Sequence, residues 1–318
     1  MTDSTESTDS TERTWPRALR DANGPMRADK VAGAALGMGD YGPATRALHD
    51  AGYLAPDLMT GLSLFLLGNQ PRKPKKDAMP GAGGGVAGGV WVRERFTIYR
   101  PLRNDEPFTV SGESVGRYVH KGRRYSTTQC ETCDGEGRLV ARNLSTGLLA
   151  YKVDATLGET QEGVHPDALD APAPDRRAAR DNPCLDSIRA CRAGERLNAR
   201  QVLVGLDLMQ ARDTATPDNP IHSDPALAKK AGLERPIAGG SHVLAFALEP
   251  IIARLGTASL LHGASFDVRW KAPVFADVSL MPEALVTDAN DAGVRFELTA
   301  RLDGDAVAMT AAVEVPLP

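Results

Sequence analysis

The residues that could do chemistry gather between 216 and 241, in Thr216-Pro217-Asp218-Asn219-Pro220-Ile221-His222-Ser223-Asp224-Pro225 and then Gly239-Gly240-Ser241. Asn219-Pro220 marks a turn, which sets His222 on an exposed loop. Asp224-Pro225 opens a short helix, with the acid as its cap and the proline at its first position. Gly239-Gly240-Ser241 leads into a long apolar helix whose first backbone N–H groups have no partner inside it. Such a helix start is a site for negative charge. A histidine exchanges protons near neutral pH, and backbone N–H groups stabilise an oxyanion as it develops. Side by side, the two suit enolate chemistry on a thioester.

The elements that must position these residues occur twice. Ala51-Gly52-Tyr53-Leu54-Ala55-Pro56 precedes an apolar stretch from Leu58 to Gly68, and Ala231-Gly232-Leu233-Glu234-Arg235-Pro236 precedes another from Val243 to Gly256. The prolines are 180 residues apart. Further on, Arg95 to Arg100 matches Ser265 to Trp270 at an offset of 170, and Asp134-Gly135-Glu136 matches Asp303-Gly304-Asp305 at 169. The slip is explained by an insertion in the first half, the Pro/Lys/Gly-rich stretch from Gln70 to Gly89. Internal repeats of this kind reset the expected fold. Each half reads as an apolar helix followed by strands. Val294, Phe296, Leu298, Ala300 and Leu302 share one face of a strand. Asp303-Gly304 then signals a hairpin, and Val307 to Val315 alternate again. The pattern predicts an α+β chain in which two helices are each wrapped by antiparallel sheet.

The chemistry-bearing segment resembles the MaoC-like, (R)-specific enoyl-CoA hydratase family. That family's signature is Gly-Asp-x-Asn-Pro-x-His, followed by a hydrophobic helix opened by Pro-Ile-x-His-Gly. Here stand Asn219-Pro220-Ile221-His222 and Pro236-Ile237-Ala238-Gly239-Gly240, and the similarity is closest over 212–250. The resemblance implies a double hotdog fold. It also implies that the second module keeps the catalytic loop while a degenerate first module helps house an acyl chain. The implied reaction is reversible hydration of a trans-2-enoyl thioester to an (R)-3-hydroxyacyl thioester, with no metal or other cofactor. By the same resemblance His222 activates water, Asn219 and Pro220 shape the loop, and Gly240 and Ser241 hold the thioester oxygen. Gly39-Asp40-Tyr41-Gly42-Pro43 reads as the first module's remnant of this loop, with no histidine at the motif spacing.

One departure bears on mechanism. The family's catalytic aspartate lies five residues before the histidine, where this chain has Pro217, and Asp218 follows it. Either Asp218 takes the role through a shifted loop, or the usual pair is broken. Two alternatives therefore stand beside the hydratase: a hotdog acyl-CoA thioesterase, for which Glu249 is the acid well inside the helix, and a catalytically silent acyl-thioester binding protein. Gly239 replaces the family's histidine before the oxyanion glycine. His242, on the first turn of the helix, reads as an ordinary partly buried histidine.

Other motifs carry less. Cys130-Glu131-Thr132-Cys133-Asp134-Gly135-Glu136-Gly137 resembles one repeat of a chaperone-type zinc ribbon, but a structural zinc needs four ligands, and two strand cysteines before a turn are simpler. Gly83-Gly84-Gly85-Val86-Ala87-Gly88 has the dinucleotide spacing without the strand before it and the helix after it. Arg72, Lys73, Lys75 and Lys76 read as a solvated loop, with contact to CoA phosphates as the sharper reading.

Bulk properties exclude several classes. A net charge of −4 gives no basic surface for nucleic acid or an anionic membrane. The longest apolar run is far short of the roughly 20 residues that span a bilayer. Four cysteines in 318 residues make no disulfide framework, and the polar first 13 residues are no secretory signal. The expected organisation is a disordered tail over 1–14, a first module over 15–157, a linker over 158–190 and a catalytic module over 191–318. The expected protein is cytoplasmic, a monomer or homodimer, and works on acyl-CoA or acyl-carrier thioesters.

Overall fold

The computed structural model describes residues 14–70, 90–149, 153–198, 200–213 and 220–318. The tail, the glycine run over 83–88, the basic residues Arg72 to Lys76, and Pro217, Asp218 and Asn219 lie outside the described residues.

After two short strands, β1 (Arg17–Ala18) and β2 (Ala22–Asn23), the first module carries helices α1 (Ala28–Leu36), α2 (Pro43–Asp50), α3 (Pro56–Met59) and α4 (Leu62–Gly68). Strands β3 (Val90–Ile98), β4 (Phe108–His120), β5 (Arg123–Asp134) and β6 (Leu139–Leu148) follow. A connecting stretch holds β7 (Thr160–Gly163) and α5 (Leu185–Arg189). The second module repeats the plan. After β8 (Arg196–Asn198) and β9 (Val202–Val204) come α6 (Leu206–Asp213), α7 (Pro225–Lys230) and α8 (Gly240–Leu255). It ends on β10 (Ser265–Trp270), β11 (Val278–Asn290), β12 (Gly293–Leu302) and β13 (Val307–Pro316).

The strands form one antiparallel sheet, ordered β1-β4-β5-β6-β3-β10-β13-β12-β11-β8. Read from each edge to the centre, the two halves have the same order. They meet where β3 pairs with β10, with Phe96 opposite Phe266. These rings stack with centroids 4.3 Å apart, a contact worth about 0.5–1.5 kcal/mol beyond the area it buries. Two apolar helices wrapped by one continuous sheet make this a double hotdog. No helix among the described residues is long and apolar enough to cross a membrane.

The repeat extends into loop conformation. Gly52 and Gly232, 180 residues apart, both take positive φ (82° and 88°) just after α2 and α7, a backbone region glycine enters at no steric cost. Both helices have proline in their first turn. The halves differ most in the central helix. α8 is an unbroken 16-residue helix, apolar nearly all round and buried on most faces. Its first-module counterpart, expected as one helix over Leu58 to Gly68, is split into α3 and α4. The break falls at Thr60-Gly61, where the Thr60 hydroxyl turns back to the Asp57 carbonyl at 2.7 Å. Glycine is a poor helix former, and the Met59 carbonyl is taken by the Asn143 side chain at 3.2 Å.

The segment read as a linker, 158–190, is an ordered strap. β7 pairs with β4, the Thr97 hydroxyl donates to the Pro172 carbonyl at 3.0 Å, and Asn182 donates to Ser259 O at 2.8 Å. Its proline and alanine content had suggested a tether. Its backbone carbonyls instead satisfy polar side chains on the outer face of β3.

Candidate active site

His222 sits at the end of a single 3-10 turn, Pro220–His222, between the undescribed loop and α7. Ile221 anchors this turn. It is fully buried among Ala228, Leu233 and Ile237, a small apolar cluster apart from the main core. Asp224 caps α7, accepting from Ala226 N at 2.8 Å and Leu227 N at 3.1 Å, as its type and the proline after it imply. Ser223 donates to Asp213 at 2.6 Å, tying the turn to the end of α6.

The His222 ring is aimed by its own Nδ1–H, which donates to the Ile237 carbonyl at 2.7 Å. A carbonyl only accepts, so in the neutral ring Nε2 carries the lone pair. The Ile237 backbone is itself held, bridged to Phe275 and flanked by Ala238 N to Val274 O at 2.8 Å. A Cβ on Gly239 would lie 3.8 Å from His222 Nε2, so the imidazole faces the backbone that starts α8.

That start is built for close approach. Gly239 caps the helix and Gly240 is its first residue. A Cβ on Gly240 would come within 2.9 Å of Trp270 Cε2. The Trp270 indole donates to the Gly240 carbonyl at 3.0 Å, and it stacks on Trp91 from the first module at 5.7 Å. The N–H groups of Gly240 and Ser241 open the helix and carry the positive end of its dipole.

Of the residues singled out from the sequence, Pro220, His222, Gly240 and Ser241 come together here. Asp218 and Asn219 lie outside the described residues. His242 is fully buried rather than partly so. Its Nε2–H donates to the Gly37 carbonyl at 2.8 Å, and burial, with Arg212 nearby, holds its pKa well below the usual range. It is a neutral tie between α8 and the first module.

Sequence reasoning missed Arg212, Asp57 and the two tryptophans. Arg212, at the end of α6, reaches Asp57 of α3 at 2.6 Å and the Ser241 hydroxyl at 3.4 Å. A signal existed: the proline alignment sets Asp57 against Ile237, a carboxylate where the other copy has an apolar residue. Glu249 is also accounted for. Its carboxylate accepts from Ala44 N at 2.8 Å, Thr45 N at 2.9 Å and the Thr45 hydroxyl at 2.7 Å. It caps α2, where the chain's own cap position is Gly42.

Cys130 and Cys133 both lie on β5. Residues three apart on a strand point to opposite faces, so the two thiols do not converge. Among the described residues no group of three His, Cys, Asp or Glu side chains could hold a metal ion.

This architecture defines a double hotdog protein with a histidine beside the central helix of its second module. Residues 214–303, within the second module, match the family model described as MaoC like domain. A solved MaoC-like dehydratase is similar over 94% of this chain and 97% of its own, at 18% identity and a TM-score of 0.66. A Mycobacterium tuberculosis protein described as having a double hotdog fold is similar over 95% and 94%, at 16% identity and a TM-score of 0.57. The peroxisomal multifunctional enzyme type 2 of Drosophila melanogaster is similar over 94% of this chain and 48% of its own, at 17% identity and a TM-score of 0.60. No curated protein sequence matches the chain.

Proposed function

We propose that the protein is a hydro-lyase that adds water reversibly to a trans-2-enoyl thioester of CoA or a carrier protein, giving the (R)-3-hydroxyacyl thioester. The observation that carries this reading is His222, oriented through Nδ1 so that a basic Nε2 faces the Gly239-Gly240 helix start. In the forward direction Nε2 takes a proton from water as its oxygen bonds to C3. The C2–C3 π electrons move toward the thioester, and the charge gathers on its oxygen beside the Gly240 N–H. A proton returned to C2 completes the addition. In reverse, protonated His222 delivers its proton to the leaving hydroxyl. Asp218 is the second acid–base group in this proposal, with Asn219 and Pro220 shaping the loop and Ser241 adding to the thioester-binding backbone. Support comes from the match to a MaoC-like domain and from the name of the similar dehydratase.

The role of Glu249 counts against the thioesterase reading, because a carboxylate saturated by three helix-start donors is not placed to activate water. The test is turnover of short, long and branched trans-2-enoyl-CoA esters, followed by loss of enoyl-thioester absorbance, with His222→Ala as control. Hydration that the variant loses supports the reading. Binding of the esters without turnover would favour a silent acyl-thioester binding protein instead.

A further inference from the structure

The inner faces of the two modules differ in chemistry. The hairpin turns match: Asp134 N bonds Arg138 O in the first, and Leu302 N bonds Ala306 O in the second. Following the ladders from these turns equates Thr132, Asn143 and Ser145 with Ala300, Ala311 and Val313, and Glu94 with Phe266, a register one residue from the sequence match of Asp134 with Asp303 and two from that of Phe96 with Phe266. All eight side chains are buried. The second module's four are apolar, as a hotdog sheet face against its helix should be. The first module's four are polar.

These polar groups are not satisfied among themselves. Asn143 Nδ2 donates to Glu94 Oε1 at 2.9 Å and reaches the Met59 carbonyl at the break between α3 and α4. Glu94 Oε2, Asn143 Oδ1, Ser145 Oγ and Thr132 Oγ1 are buried without a hydrogen-bond partner. Buried polar atoms are nearly always bonded; Ser145 stands beside Glu94 across the ladder without a well-formed hydrogen bond to it, and with Asn143 Oδ1 and Thr132 Oγ1 also bare this face points to a missing partner. Complete burial pushes the Glu94 carboxyl up to about 8, against the smaller lowering that the neighbouring Ser145 hydroxyl and the Asn143 amide exert as hydrogen-bonding groups. At neutral pH it is largely an uncharged donor.

The cluster adjoins the reaction site. Glu94 faces Val268 across the central ladder, and Val268 lies two residues before Trp270 on the same strand face. Same-face neighbours on a strand are about 7 Å apart. Glu94 therefore stands one pleat in from the Trp91–Trp270 pair that packs on Gly240. In the thioester reading, an acyl chain that runs inward from Gly240 meets this face of the first module.

We propose that the inner sheet face of the first module is a specificity site for an acyl chain bearing a hydroxyl group, recognised by Glu94, Asn143 and Ser145. This rests on the thioester reading above. A hydroxyl carries one donor and two acceptor lone pairs. It accepts from the Glu94 carboxyl or the Ser145 hydroxyl and donates to Asn143 Oδ1. A plain alkyl chain leaves all of these unpaired, and a site built to bond a substrate hydroxyl discriminates strongly against an analogue lacking it. A cationic substituent would require Glu94 to ionise in a fully buried position, which is costly.

The test uses pairs of trans-2-enoyl-CoA esters of equal length, with and without a hydroxyl placed at successive carbons beyond C4. kcat/KM is measured by turnover, and affinity for the matching saturated acyl-CoA pairs by calorimetry. The wild type is expected to favour one hydroxylated isomer by at least about tenfold in both assays. Glu94→Leu should bring that ratio close to one, and Glu94→Gln, which keeps a donor, should retain part of it. If Glu94→Leu does not fold, Asn143→Leu and Ser145→Ala carry the same expectation. A wild type that shows no preference for any hydroxylated isomer, or a ratio that all these variants leave unchanged, overturns the proposal. Preferential binding without turnover would overturn the hydratase reading and leave this one standing.

Discussion

Arg212 and Asp57 meet across the module boundary at 2.6 Å, with side chains only 10% and 1% exposed. Arg212 stands just before the loop that leads to His222. Asp57 is the residue that the duplication equates with Ile237, and the Ile237 carbonyl holds the His222 ring. Equivalent positions in the two copies thus grip the two ends of one loop, by a backbone oxygen in the second module and by a carboxylate in the first.

Breaking this pair should cost both stability and rate. Asp57→Ala leaves a buried guanidinium without its partner, a loss of about 3–5 kcal/mol that thermal melting would register. The enoyl-CoA hydration rate should fall with it, in kcat more than in KM. Replacing both residues, as Asp57→Leu with Arg212→Met, should recover much of the melting temperature but not kcat. A double variant that regains kcat as well would show that the pair stabilises the fold without positioning the loop.

Gly240 should tolerate no side chain. In Gly240→Ala the new methyl meets the Trp270 ring, whose Cε2 lies 2.9 Å from the Cβ position. Either the indole or the helix start must move, and losing a well-placed oxyanion donor costs about 10²–10³ in kcat. Trp270→Phe keeps the space but removes the 3.0 Å bond to the Gly240 carbonyl, and a smaller fall is expected. Steady-state kinetics of the two variants would rank them. Equal and minor effects would argue against Gly240 as the oxyanion donor.

Glu249→Ala removes the cap of α2 and should lower stability by about 1–2 kcal/mol, read from denaturant midpoints. Hydration by the folded fraction should persist. Loss of thioester hydrolysis in this variant, with hydration absent throughout, would instead restore the thioesterase reading.

Glu94 should give stability a pH dependence of defined sign. Its folded pKa, about 8, lies above its ordinary 4.5, so the folded state binds the extra proton between these values. The contribution is complete below about pH 4.5 and is lost as pH rises towards 8. At 1.36 kcal/mol per pKa unit the whole span is at most about 5 kcal/mol. Glu94→Gln, which cannot ionise, should gain on the wild type in melting temperature as pH rises from 5 to 8, then hold level. A constant difference across that range would mean that Glu94 is already ionised in the fold.

The amino-acid sequence by itself carried the duplication, the alternating strands, the helix that starts at Gly240, the Asp224 cap and the turn that carries His222. These follow from periodicity, turn residues and caps, whose physics acts over a few neighbouring residues. The tertiary structure decided what depends on distant partners. The first-module helix breaks because Thr60 and Asn143 compete for its carbonyls. The strap over 158–190 is ordered by side chains of β3 that no local pattern announces. Glu249 and Arg212 take their roles from residues 204 and 155 positions away in the chain, Thr45 and Asp57. Charge pairing and capping operate through space, and only the folded chain fixes which groups are close enough to use them.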